Sequence, residues 1–147
     1  MKNKLPILFL IGLIIAAFVG LRMTSETETN IQIPQKSNND ASYQPQTDEN
    51  GEVVIEVMPK RLTAGSDSIF EIEFSTHSVD LNFNLEEIAY LTDDRGNIYN
   101  PLSWSGGKGG HHLAGDLTFP DLHESARKVI LTISGIEGKD RVFEWKI

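Results

Sequence analysis

Hydrophobic and polar positions alternate along much of the chain after residue 52, and the alternation has the two-residue period of strands. Val53, Ile55 and Val57 interleave with Val54 and Glu56, and Pro59 is expected to stop that run as an edge or turn residue. Phe70, Ile72 and Phe74 interleave with Glu71, Glu73 and Ser75, the clearest half-buried strand of the chain. After the tetrad Thr76-His77-Ser78-Val79, the residues Val79, Leu81, Phe83 and Leu85 alternate with Asp80, Asn82 and Asn84, which predicts a second strand joined to the first by a tight corner at His77. Ile88 to Leu91 predicts another strand, ended by the turn residues Asp93-Asp94-Arg95-Gly96-Asn97, and Ile98-Tyr99 resumes extended structure before Pro101. A strand ending at Leu117 and Phe119, one around Val129, Leu131 and Ile133, and a last one through Phe143, Trp145 and Ile147 complete the series. Seven or eight short antiparallel strands separated by turn signals predict an all-β immunoglobulin-like or cupredoxin-like sandwich.

The residues before this region divide in two. Lys2 and Lys4 precede an uncharged apolar stretch, Leu5 to Leu21, closed by Arg22, so residues 1–22 are expected to be a signal anchor with a transmembrane helix. Small residues at both −3 and −1 of a cleavage site are missing, since Ala16 and Ala17 are followed by Phe18 and Val19, which favours an uncleaved anchor over a secreted form. The excess of positive charge at the N-terminus keeps that end cytoplasmic and exports the rest, a single-pass arrangement with the C-terminal domain outside the cell membrane. Residues 23–50, rich in Thr, Ser, Asn, Gln and Glu, are expected to be a disordered polar linker, and residues 51–147 the β-sandwich domain.

Charge and cysteine content narrow the chemistry. From residue 51 onward the chain carries nine Lys and Arg against 16 Asp and Glu, a net of −7, which argues against nucleic acid as a partner and leaves cations or an extracytoplasmic protein. With no cysteine, disulfides, thiolate metal sites and lipid attachment through an N-terminal Cys are excluded, so any metal is held by His, carboxylate or carbonyl.

The stretch from Trp104 to Phe119 carries the candidate chemistry. Four glycines between Gly106 and Gly110 deliver the adjacent His111 and His112 to the start of a strand, while His77 ends another. If both ends share one pole of the sandwich, these imidazoles, with Asp80 or Asp116 as a carboxylate ligand or supporting partner, make a nitrogen-rich site suited to copper or zinc. Adjacent histidines on a strand point to opposite faces, so both reach one ion only if the loop rotates one of them. The competing reading makes the histidines structural: rings that bond backbone carbonyls or close the loop, in an immunoglobulin-like module that serves structure or protein interaction without metal.

Other candidates carry less. His123 reads as a solvated loop residue, Trp104 as a cover for the glycine loop, and Trp145 as core. Glu86-Glu87 and Asp93-Asp94 lack calcium-loop spacing and read as a solvated face. The serines near the histidines sit in no nucleophile elbow, and no phosphate loop or dinucleotide fingerprint occurs, so an enzyme is not expected. The blocks Thr76-His77-Ser78-Val79-Asp80-Leu81, Trp104-Ser105-Gly106 and Gly109-Gly110-His111-His112, with Gly115 and Phe119, resemble a family of small exported prokaryotic β-domains. That resemblance implies treating His77, His111 and His112 as one unit, and it supplies no activity.

Overall fold

The computed structural model describes residues 43–147; the expected anchor and most of the expected linker lie outside the described residues. The described chain forms nine strands in two antiparallel sheets. In chain order they are β1 (Gln46–Asp48), β2 (Val53–Arg61), β3 (Ser68–Thr76), the one-turn helix α1 (Leu85–Ile88), β4 (Ala89–Asp93), β5 (Ile98–Tyr99), β6 (Ser103–Trp104), β7 (His112–Phe119), β8 (Lys128–Ile136) and β9 (Lys139–Lys146). The first sheet has the order β1-β2-β3-β7-β6 and the second β5-β4-β8-β9. This is the antiparallel sandwich that the alternation predicts.

The alternating apolar residues do what their period requires. Ile55 faces Phe74, Val57 faces Ile72, and Phe74 faces Leu113 across the first sheet, all on its inner side. Leu91, Leu131 and Phe143 line up the same way in the second. Each such side chain contributes about 1.5–3 kcal/mol by leaving water. Trp145 packs on Phe70 and Phe143 with ring centroids 5.3 and 6.3 Å apart, and Phe70 meets Phe119 edge to face.

Four expectations need correction. Pro59 does not stop its strand: β2 runs on to Arg61 through a bulge between Pro59 and Arg61. It is tolerated because β1 pairs only with Ile55 to Val57, which leaves the side of β2 at Pro59 without a strand to receive an N–H. The segment from Val79 to Leu85 is not a sheet strand. Its alternation is real, with Leu81 and Leu85 buried and Val79 and Phe83 packed against the core. Its backbone, however, bonds the glycine loop at one point and then turns into α1, where Asn84 caps the helix by accepting from the Glu86 N–H and donating to the Glu87 carboxylate. The strand expected at Ile88 to Leu91 therefore begins at Ala89 and ends at Asp93. Lastly, residues 43–50, assigned by composition to the linker, belong to the sandwich. β1 pairs with β2, and the Tyr43 hydroxyl donates to the Leu62 carbonyl at 2.9 Å.

Candidate functional site

The register places the predicted histidines. Ser75 pairs with His112, and one step further the Thr76 N–H donates to the His111 carbonyl at 3.0 Å, so the end of β3 and the start of β7 do lie side by side at one pole. His77 follows in a bend where the Thr76 hydroxyl accepts from the backbone N–H groups of Ser78 and Val79, both at 3.3 Å. His77, His111 and His112 are all exposed.

The loop is closed by backbone and carboxylate, not by imidazole. Leu81 donates to the Gly110 carbonyl at 3.0 Å, Gly109 donates to the Leu81 carbonyl at 2.8 Å, and the Asp80 carboxylate accepts from the Gly110 N–H at 2.9 Å. Gly110, with φ of +86°, takes the left-handed conformation that turns its N–H toward Asp80. Asp80 is thus committed to the loop backbone. His112 shares the outer face of the first sheet with Val54 and Ser75, whereas His111 lies in the bend just before β7. Among the described residues, no three His, Asp or Glu side chains are grouped closely enough to hold one ion.

Trp104 covers the loop as expected. Its indole N–H donates to the Gly107 carbonyl at 2.7 Å, its ring meets Phe74 edge to face at 6.3 Å, and a Cβ on Gly106 would sit 2.1 Å from the ring. Gly115 on β7 allows the Gly106 backbone an equally close approach, since a Cβ there would come within 2.3 Å of the Gly106 nitrogen. His123 stays in its loop, where its ring Nδ1 accepts from the Ser125 N–H at 3.1 Å.

Two carboxylates read as solvated are structural. Asp93 is only 8% exposed and accepts hydrogen bonds from the Arg95 and Asn97 N–H groups, the Asn97 side chain and the Tyr99 hydroxyl. Burial pushes its pKa up, the four donors pull it down, and they win, leaving it at about 2. Asp94 accepts from the Arg127 and Lys128 N–H groups, which lower its pKa.

The sequence reading missed Arg141. Its side chain is 1% exposed, and its guanidinium donates to Asp48 at 2.6 Å and to Glu137 at 2.8 Å. Glu137, at φ 53°, also accepts from the Glu52 and Val53 N–H groups, which, with Arg141, draw its pKa down. This clasp ties β1 and the start of β2 to the β8–β9 hairpin. Its members lie up to 93 residues apart, so no local pattern announces it.

The two outer faces differ in chemistry. On the first sheet Glu56 lies opposite Glu73, and Glu71 opposite Asp116, with Lys60 bonded to Glu71 and Asp116 at 3.2 and 2.7 Å. A shallow groove of about 270 Å³ runs there past Glu56, Glu73, Ser75 and His112. On the second sheet, Tyr90, Thr132 and Val142 form one cross-strand row, and Ile98, Thr92, Ile130 and Glu144 the next. Six of these seven side chains are uncharged, and Ile98 and Val142 are 67% and 56% exposed.

No family model and no curated protein matches this chain. Among solved structures, the secreted protein MPT63 of Mycobacterium tuberculosis aligns over 71% of this chain and 91% of its own, with 17% identity and a TM-score of 0.42.

Proposed function

We propose that this chain is an extracytoplasmic β-sandwich, held at the membrane by its N-terminal segment, that works as a protein-interaction module through the outer face of its second sheet. One observation carries the reading: on an acidic chain, the two central rows of this face are β-branched apart from Tyr90 and Glu144, with Ile98 and Val142 exposed and the Lys128–Glu144 ion pair at the rim. The histidine pole supports it, because the glycine loop there is satisfied by its own backbone and by Asp80. The test is photo-crosslinking in intact cells from a reactive residue placed at 98 or 142, compared with 56 or 73 on the first sheet. A discrete adduct from the second-sheet positions alone supports the reading, and equal labelling from both faces or none from either sinks it.

The adjacency of the β3 end and the β7 start favours a second reading, a transition-metal site of His77, His111 and His112. It requires the exposed imidazoles to converge on one ion, with Asp80 able to ligate through Oδ2 while Oδ1 holds the Gly110 N–H. Calorimetric titration with Cu(II) and Zn(II) decides it: a single site near stoichiometry that His111→Ala removes supports metal, and absence of heat with either ion excludes it.

A further inference from the structure

The seam where β1 of the first sheet meets β9 of the second carries an inference independent of the docking face. β9 is an eight-residue edge strand with a neighbour, β8, on one side only. Such an edge offers a row of backbone donors and acceptors to any other strand. At Glu144 that offer is already taken. The Gln46 amide donates to the Glu144 carbonyl at 2.6 Å, and the Glu144 N–H donates back to the Gln46 side-chain oxygen at 3.2 Å. A primary amide making both bonds to one residue copies what a neighbouring strand's peptide groups would do.

The placement follows from the register. Gln46 and Asp48 pair with Val57 and Ile55, whose side chains face the core, so both occupy inward positions at the very edge of the first sheet. An apolar residue there would only extend the core. These polar side chains instead reach across the open seam, Gln46 to the β9 backbone and Asp48 to Arg141. The Trp145 indole N–H donates to the Gln44 carbonyl at 3.4 Å in the same seam. By the alternation of an antiparallel ladder, Val142 and Lys146 turn their peptide groups the same way as Glu144.

We propose that β1 is a guard strand, and that Gln46 keeps β9 from pairing with the β9 of a second copy of this chain. The charges on β9 select one register for that pairing. With Val142 opposite Glu144 across a two-fold axis, Asp140 of each copy faces Lys146 of the other; with Val142 opposite Val142, Asp140 faces Glu144 and repels it. The guarded edge is therefore built to self-pair once the amide is withdrawn.

The experiment replaces Gln46→Met in the full chain, a change that keeps side-chain length and removes both bonds. Sedimentation in mild detergent is expected to show a dimer fraction at least tenfold above wild type at equal concentration. Adding Lys146→Glu, which sets like charges opposite each other, is expected to return the monomer. A Gln46→Met chain that keeps its β-type circular dichroism and stays monomeric overturns the proposal, as does a dimer indifferent to Lys146→Glu. Hydrogen exchange on the wild-type chain keeps the idea open to refutation even if the variant unfolds. The Glu144 amide is expected to exchange at least tenfold more slowly than that of Val142, and equal rates overturn the guard.

Discussion

Arg141 shows how a single residue can hold a fold together at a cost. Its guanidinium is removed from water, and its Nε has no partner, so the two carboxylates that meet the other nitrogens offset a desolvation penalty instead of adding a large surplus. Removing the cation while leaving Asp48 and Glu137 in place is the damaging change. Arg141→Ala is expected to lower unfolding stability by about 3 kcal/mol, read from urea denaturation, whereas Arg141→Met with Asp48→Asn should recover part of that loss. Asp93 contributes to the pH dependence, in the same direction as Asp48, Asp94 and Glu137. Its folded pKa of about 2 lies below the ordinary 3.8, so its stabilisation is complete above roughly pH 4 and disappears as pH falls toward 2. The shift corresponds to about 2 kcal/mol. Denaturation midpoints of wild type and Asp93→Asn should differ most at neutral pH and converge near pH 2.

At the level of elements, the glycine loop and α1 act as one unit around Trp104. The Glu86 carboxylate accepts the Trp104 N–H at 2.8 Å, so the one-turn helix anchors β6, and the indole in turn roofs the loop. Gly106→Ala drives a methyl group into the indole ring and is expected to displace it, with a red shift in tryptophan emission. Gly115→Ala is the harsher change, because the obstructing atoms are backbone. It should separate β6 from β7 and cost about 1–3 kcal/mol in thermal or urea unfolding. Neither change touches an imidazole, so a metal titration of both variants separates loop shape from ligand chemistry.

For the molecule as a whole, the first sheet presents an acidic outer face and the second a face whose central rows carry one charge, Glu144, and that difference is the basis for the interaction reading. Val142→Lys is expected to leave the melting temperature within a degree or two, because the side chain lies on the outer face, while abolishing the crosslinked adduct formed from position 98. A fall of several degrees would instead place Val142 in the stabilising core of the fold. The proposed anchoring makes its own prediction. Protease added to intact cells should remove the domain and leave a short membrane fragment, whereas a mature form beginning near residue 20 to 25 would mean that the leader is cleaved.

Period-two alternation was enough to read the architecture, because burial on one face of a strand is a local constraint: Phe70, Ile72 and Phe74, or Val129, Leu131 and Ile133, declare their inward side without reference to any partner. The same signal overreached at Val79 to Leu85, where side chains alternate inward but the backbone has no neighbouring strand to complete a ladder. The pole shared by His77 and His111 was only a condition in the sequence, since alternation does not say which strands pair, and the pairing of β3 with β7 supplied it. The bond from the Gly110 N–H to Asp80 was not legible either, because it joins residues 30 apart and forms only when the loop is folded. The Arg141 clasp and the Gln46 guard left no trace in the sequence at all. Their partners meet across 93 to 98 residues of chain, and only tertiary structure, by bringing the edges of two sheets to one seam, decides that a glutamine side chain stands in for a strand.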